Sequence, residues 1–210
     1  MSKTKTFIKN ILFDLGGVLI DIDTSRTEKG LAKFTKENLA LRDLEALLYE
    51  KLHLFEKGQY SEELFINLLL KHSHYKIQAL DIITVWNSML TFIDEDRLHV
   101  LKKLSKDYKL YALSNNNPIH FQWLQKKNAE LAKGEQLFEL FQSMYFSHLI
   151  EVRKPDKAAF EIVLNDAEIL ASQTLFIDDV EENILAAQDL GFLTFHKKSD
   201  KGFIEFCKTL

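Results

Sequence analysis

The chain has 210 residues and a formal net charge of -4 at pH 7, and its basic residues form only short pairs. These features argue against nucleic acid or another polyanion as a partner. The N-terminal stretch MSKTKTFIKN lacks the apolar run of a signal peptide, and no segment is long enough to cross a bilayer. The single cysteine, Cys207, cannot form an internal disulfide. We therefore expect a cytoplasmic protein without a membrane partner, of a size that suits one domain with an insertion.

The stretch NILFDLGG predicts the first strand and the first candidate site residue. Ile11, Leu12 and Phe13 form an apolar, β-rich run that stops at Asp14. Because a carboxylate is expensive to bury, Asp14 should lie at the end of the strand and face solvent, a ligand or a metal. Gly17 suits a tight turn just after the strand.

Residues 24–92 lack β-rich runs and have apolar residues at helical spacing. This pattern predicts an insertion of about four helices. Gly58 fits the end of the second helix and Ser61 the N-cap of the third. Phe55, Phe65 and Trp86 are more typical of the insertion's own core than of a ligand cage.

Helices and strands alternate again from residue 94 onward. The pattern predicts a helix in DEDRLHVLKKLSKDY, a strand over 109–113, a helical stretch interrupted at Gly134, and a strand in SMYFSHLI. Pro155 should open the next helix near its first turn. TLFIDD and GFLTFHKK predict two more strands, and KGFIEFCKTL a closing helix. Such alternation predicts an α/β fold with a doubly wound parallel sheet.

Polar and acidic residues follow three of these strands, and each cluster comes where its strand should end. They are Asp14, Ser114 with Asn115, and Asp178 with Asp179. In a doubly wound sheet, ligands bind beyond the carboxyl ends of the strands. The sequence therefore predicts that three distant parts of the chain converge on one crevice.

The residue types at this predicted crevice suit a phosphate ester and a divalent cation. Asp14, Asp178 and Asp179 offer carboxylate oxygens, which are ligands that Mg²⁺ prefers. Ser114 and Asn115 offer a hydroxyl and an amide for phosphate oxygens, and Lys154, in the stretch RKPD, offers a positive charge. Each group alone has a structural explanation as a cap, a turn or a surface residue. Together, in this order, they favour a functional site.

Four stretches in chain order resemble the motifs of the haloacid dehalogenase (HAD) superfamily: FDLGGVLID, LSNN, RKPD and FIDDVEEN. The resemblance covers nearly the whole chain and is strongest to the branch with a helical cap inserted after the first strand. It implies a Rossmann-like core over 1–22 and 93–210, with a four-helix cap over 23–92. Members with FDLG in the first motif include sugar-phosphate phosphatases.

The resemblance also implies a role for each motif in phosphoryl transfer. Asp14 would be the nucleophile and form an aspartyl phosphate, Ser114 would bind the transferred phosphoryl group with Asn115 beside it, and Lys154 would steady both nucleophile and phosphate. The implied Mg²⁺ cofactor would bind to four residues: Asp14, the main-chain oxygen of Gly16, Asp178 and Asp179. The implied substrate is a small phosphorylated metabolite, and we expect a monomer or weak homodimer.

Gly16 departs from the family pattern, because most phosphatases of the family have a second aspartate there as general acid and base. Such help is typically worth roughly a hundredfold to ten-thousandfold, so its absence predicts slower turnover. Asp21 and Asp23 are candidates for a replacement acid, but a turn or hinge role fits both better. Two alternatives stay open: a 2-haloacid-dehalogenase-like hydrolase, which the paired acids in FIDD disfavour, and a catalytically weakened binding module.

Overall fold

The computed structural model describes residues 8–35, 41–74, 76–91, 95–131 and 136–210. The strands in these ranges are β1 (Asn10–Phe13), β2 (Asp21–Ile22), β3 (Leu90–Thr91), β4 (Lys109–Ser114), β5 (Ser143–Phe146), β6 (Thr174–Asp178) and β7 (Leu193–His196). The α-helices are α1 (Thr24–Phe34), α2 (Leu41–Glu56), α3 (Glu62–Lys71), α4 (Ala79–Asn87), α5 (Glu95–Leu104), α6 (Pro118–Ala129), α7 (Ser147–Ile150), α8 (Lys157–Asp166), α9 (Glu181–Asp189) and α10 (Asp200–Cys207). Within the described ranges, none of the helices combines the length and apolar character that crossing a membrane requires.

Five strands form one parallel sheet in the order β5-β4-β1-β6-β7. This order confirms the predicted doubly wound α/β fold, and each of the five strands falls in a stretch where the sequence predicts one. The chain adds β4 and β5 on one side of β1, and then β6 and β7 on the other. The carboxyl end of β1 is therefore the point at which a ligand is expected to bind.

The side chains of β1 alternate between two apolar layers, one on each face of the sheet. Ile11 and Phe13 pack in one layer with residues of α5, α6 and α10, whereas Leu12 packs in the other with residues of α8 and α9. All three side chains are fully buried. Full burial of such a side chain is worth about 1.5–3 kcal/mol, so packing on both faces fixes β1 and the residue that follows it.

The helices α1 to α4 lie between β2 and β3, which pair with each other as a short antiparallel ladder. Their aromatic residues form the separate core that the sequence predicts. Phe55 stacks on Phe65 with ring centroids 4.3 Å apart. Trp86 packs edge-to-face against Phe65, with centroids 4.8 Å apart. The cap boundaries, 23–92 within a core of 1–22 and 93–210, stay a prediction.

Two predicted helix ends in this insertion are confirmed. Gly58 follows α2 with φ +69°, a left-handed conformation that favours glycine after a helix. The Ser61 hydroxyl caps α3 by accepting a hydrogen bond from the backbone N–H of Leu64 at 3.2 Å.

Three details differ from the expectations or lie outside the description. β5 ends at Phe146 and the chain turns into α7, because β4 already ends at Ser114, the partner of Phe146. Pro155 precedes α8 and does not open it. The helix starts at Lys157, because the Asp156 side chain supplies the cap by accepting from a backbone N–H. The predicted break at Gly134 lies outside the described residues.

Candidate active site

Three strand ends bring the predicted site residues together. β1 pairs with both β4 and β6, so Asp14, just after β1, lies beside the ends of both neighbours. Ser114 and Asp178 are the last residues of those neighbours. All three residues are buried. The predicted convergence is therefore present in the structure.

Lys154 reaches this cluster from the loop before α8. Its Nζ lies 2.9 Å from Asp14 Oδ1 and 2.7 Å from Asp178 Oδ2, and its side chain is 1 % exposed. The same Nζ lies 5.3 Å from the centre of the Phe176 ring, which adds a favourable cation–π contact. One buried lysine therefore joins two of the carboxylates.

Asn115 holds the backbone of Lys154 in place. Its side-chain amide donates to the Lys154 carbonyl and accepts from the Lys154 N–H, both at 2.9 Å. This paired contact fixes the loop from which the lysine extends. No local pattern predicts this contact, since the two residues are 39 positions apart. The predicted role of Asn115 in substrate binding stays a prediction.

Asp178 is fixed by further donors at the start of the next helix. The Val180 N–H donates to Asp178 Oδ1 at 2.8 Å, and the Asn183 side chain donates to Oδ2 at 3.0 Å. Sequence reasoning missed Asn183. A polar residue in the first turn of the helix, five positions after Asp178 in FIDDVEEN, was the available signal.

Three carboxylates lie near one buried lysine, and two of them, Asp14 and Asp179, have raised pKa values. Burial and the charges of Asp178 and Asp179 raise the pKa of Asp14 to about 7, although Lys154 opposes the shift. Burial and Asp178 also raise the pKa of Asp179. Burial disfavours the charged form of Lys154, but Asp14 and Asp178 outweigh it and raise the pKa of the lysine. The site therefore has an excess of negative charge.

A hard divalent cation would fit this excess. One carboxylate oxygen from each of Asp14, Asp178 and Asp179 lies within 4.8 Å of the others. Oxygen ligands of this kind, in this number, suit Mg²⁺. The three carboxylates among the predicted metal ligands are thus close enough together to share an ion, whereas the role of the Gly16 main-chain oxygen stays a prediction.

The two glycines after Asp14 have different structural reasons. Gly17 has φ +72°, and a Cβ there would overlap the Asp179 carboxylate. Gly16 needs no left-handed backbone, and a Cβ there would meet only the end of the Ile22 side chain, 2.6 Å from Cδ1. Ile22 is 45 % exposed. Position 16 could therefore accept a side chain if Ile22 moved, whereas position 17 could not.

The helical insertion contacts the loops that surround the site. Glu56, at the end of α2, pairs with Arg153 at 2.9 Å, and Arg153 is next to Lys154. Trp86 of α4 stacks on His120 of α6 with centroids 5.6 Å apart, and its carbonyl oxygen lies 3.2 Å from His120 Nε2. The insertion is therefore docked against the carboxyl edge of the sheet.

The family model for haloacid dehalogenase-like hydrolases matches residues 8–191. This match covers most of the chain and includes four of the five strands of the parallel sheet, ending just before β7. The chain belongs to the haloacid dehalogenase-like hydrolase family, which confirms the resemblance of its four motifs.

Individual relatives agree with this assignment. The chain is 30% identical over 195 residues to a D-ribitol-5-phosphate phosphatase of Bacteroides thetaiotaomicron, covering 91% of this chain and 93% of the relative. A HAD family enzyme of the same organism, solved with magnesium and inorganic phosphate, is 34% identical with a TM-score of 0.83 over 92% of this chain and 96% of that one. A predicted HAD-like hydrolase from Porphyromonas gingivalis is 29% identical with a TM-score of 0.83, covering 97% of both chains.

Proposed function

We propose that this hydrolase is a Mg²⁺-dependent phosphatase that acts on a small phosphorylated metabolite, a sugar or sugar-alcohol phosphate. The proposal rests above all on the buried contact between Lys154 and two carboxylates, Asp14 and Asp178, at the centre of the sheet. A cation held beside a strand-end carboxylate suits attack on an anionic phosphate, because it stabilises charge that develops on the transferred group.

In this mechanism an Asp14 carboxylate oxygen attacks phosphorus in line with the leaving oxygen. The new bond gives an aspartyl phosphate as the bond to the leaving alcohol breaks, and water then hydrolyses the intermediate to phosphate and free Asp14. Lys154 would neutralise charge on the phosphoryl oxygens, and the Ser114 hydroxyl would donate to them. Asn115 would hold the lysine through its paired backbone contact.

The residues that would hold Mg²⁺ are Asp14, Asp178, Asp179 and the main-chain oxygen of Gly16. When bound, the cation would act as a Lewis acid that offsets phosphate charge. The closeness of the three carboxylate oxygens supports this assignment. The raised pKa values of Asp14 and Asp179 agree with it, since they arise from burial first and from neighbouring carboxylates second. Gly16 supplies no acid side chain, so leaving groups of low pKa should react fastest.

The substrate class is supported by the relative that is named a D-ribitol-5-phosphate phosphatase. We also propose that residues 23–92 form a cap over the core and exclude bulk water during the reaction. The segment FEKGQYS, which covers the end of α2 and the turn after it, is the proposed specificity segment. It begins at Phe55 and contains Glu56, whose ion pair with Arg153 places it near the site.

The test is phosphate release from a panel of sugar and sugar-alcohol phosphates, with added Mg²⁺ and with the metal chelated. We expect Mg²⁺-dependent release from the natural protein and none from Asp14→Asn, which keeps the shape of the side chain but not its nucleophilic charge. Asp189→Asn, at an exposed carboxylate of α9, is the matched control and should react normally. Metal-dependent release by Asp14→Asn would overturn the nucleophile assignment.

The same panel separates the two alternative functions. A dehalogenase would release halide from a 2-haloacid without added metal, because halide displacement from carbon uses the aspartate but not the paired acids. A binding module would bind phosphorylated compounds in calorimetry but release no phosphate under any condition. Either result would replace the phosphatase proposal.

A further inference from the structure

The turn after β1, residues 15–20, connects Asp14 to the helical insertion and contains both glycines. It is compact, because the backbone N–H groups of Leu19 and Ile20 both donate to the Leu15 carbonyl at 2.8 Å. The Gly17 N–H donates to the Ile20 carbonyl at 2.8 Å. The Gly17 carbonyl instead accepts a hydrogen bond from a distant part of the chain.

That partner is Lys197, which directly follows β7. Its Nζ donates to the Gly17 carbonyl at 2.6 Å and pairs with Asp200 Oδ1 at the same distance. The Lys197 residue is 9 % exposed, which is unusual for a lysine. The proposed phosphatase reaction assigns no role to this buried cation.

A second buried cation contacts the same turn. Arg97 of α5 donates to the Leu19 carbonyl at 3.3 Å and pairs with Asp21 at 2.6 Å. It also pairs with Asp200 at 2.8 Å, and its side chain is 2 % exposed. Lys197 and Arg97 therefore share one carboxylate and bind two carbonyls of one turn.

Residues at the carboxyl end of β7 also contact the backbone of the acid pair, Asp178 and Asp179. The Lys197 N–H donates to the Asp178 carbonyl at 2.9 Å, and His196 Nε2 lies 3.0 Å from the Asp179 carbonyl oxygen. Gly17 packs so closely on the Asp179 carboxylate that no side chain fits between them. A shift of the turn would therefore change the space available to that carboxylate.

We propose that Lys197 is a positioning residue for the metal site. By holding the Gly17 carbonyl, it fixes the turn after β1, and the turn then fixes the position of the Asp179 carboxylate relative to Asp14. The inference rests on the proposed Mg²⁺-dependent function, but it concerns a residue outside the four motifs. Lys197 contacts neither the proposed nucleophile nor the proposed phosphate site, so it acts through Gly17.

The charge of Lys197 and its contact with Gly17 predict opposite effects of a substitution on Mg²⁺ binding. Its positive charge lies near Asp179 and opposes a raised pKa there, so charge alone would weaken binding of a cation. Loss of that charge would then strengthen Mg²⁺ binding. Loss of the contact with Gly17 would instead weaken it, because the ligands would no longer be held together. The sign of the change therefore separates the two effects.

The experiment measures Mg²⁺ binding to the metal-free, full-length protein by titration calorimetry. Lys197→Met should raise the Kd for Mg²⁺ about tenfold, the lower end of what loss of an outer contact to a metal site usually costs. Lys197→Arg should bind within about threefold of the natural protein, because it retains a donor and a charge. Lys198→Met is the matched control at the exposed neighbouring lysine and should not change the Kd.

Two measurements keep the result decisive. Thermal unfolding without metal establishes that each variant folds. If Lys197→Met does not, Asp200→Asn takes its place, because it weakens the anchor of both cations, and it should raise the Kd about tenfold. An unchanged or lower Kd in the folded Lys197→Met protein overturns the role of Lys197 alone. A natural protein that binds no Mg²⁺ overturns the proposed metal-dependent function as well.

Discussion

Introducing an acid at Gly16 should increase turnover for substrates with poor leaving groups. The substitution Gly16→Asp places a carboxyl two residues after the proposed nucleophile, where it can protonate the departing alkoxide. General acid–base help is worth roughly a hundredfold to ten-thousandfold, which is about 3 to 5 kcal/mol of activation free energy. The backbone at Gly16 is compatible with a side chain, since its φ lies outside the left-handed region.

The structure also sets the cost of this substitution. A new Cβ would lie 2.6 Å from Ile22 Cδ1, so Ile22 must rotate away. The far end of an exposed side chain moves easily, and an off-rotamer position costs about 1 kcal/mol. Strain of this size would cancel about fivefold of the gain. We therefore expect a net increase in kcat/KM of about twentyfold to two-thousandfold for alkyl phosphates.

The assay compares alkyl phosphates with an aryl phosphate, whose leaving group needs little protonation. Gly16→Asn is the matched control, because it has the same shape but cannot transfer a proton. The pair Gly16→Asp with Ile22→Ala removes the steric conflict and should give the larger gain. Equal gains for Asn and Asp, or gains that do not depend on the leaving group, would refute the reasoning.

Three further predictions concern buried ionisable side chains. Lys154→Met leaves Asp14 and its neighbours without their shared cation and should lower the free energy of unfolding by about 3 to 5 kcal/mol in urea titrations without metal; a loss below about 1 kcal/mol would contradict the ion pairing seen here. The pKa of Asp14 is about 7 in the fold against an ordinary 3.8, so the folded chain retains a proton that the unfolded chain has lost. Stability without metal should therefore fall as pH rises between these values, and Mg²⁺ should raise Tm more at about pH 8 than at about pH 5; an equal rise at both would argue against it. Burial lowers the pKa of His120 from 6.5 to about 4, so the unfolded chain is protonated first and acid should destabilise the fold. His120→Gln should remove about 3 kcal/mol of that loss over this interval, and an unchanged acid limb in pH-dependent denaturation would contradict the burial of a neutral histidine.

The strands and their functional ends could be predicted because their signals are local. Ile11 to Phe13 form an apolar run whose length fits one strand, and Asp14 interrupts it where burial of a charge becomes expensive. The rule that parallel strands present their carboxyl ends at one edge then brings Asp14, Ser114 and Asp178 together without any knowledge of side-chain contacts.

The supporting contacts could not be predicted in this way, because they join residues that share no local pattern. Lys197 and Gly17 are 180 positions apart, and nothing in the stretch HKKSD distinguishes a buried lysine from its exposed neighbour Lys198. Pro155 is a local signal for the start of a helix, but the capping side chain of Asp156 is a stronger one. Asp156 offers a side-chain acceptor for the first turn, so the helix begins after it.

Arg153, which contacts the insertion, and Lys154, the proposed catalytic lysine, are neighbours in the chain. Arg153 binds Glu56 of the insertion, and the next residue, Lys154, binds Asp14. Burial raises the pKa of Glu56 although Arg153 opposes the shift, and the side chains of Glu56 and Arg153 are 17 % and 26 % exposed. Because two hydrogen bonds with Asn115 hold the backbone of Lys154, a shift of Arg153 need not displace the next residue. The loop can thus contact the insertion on one side while the lysine stays anchored to the sheet on the other.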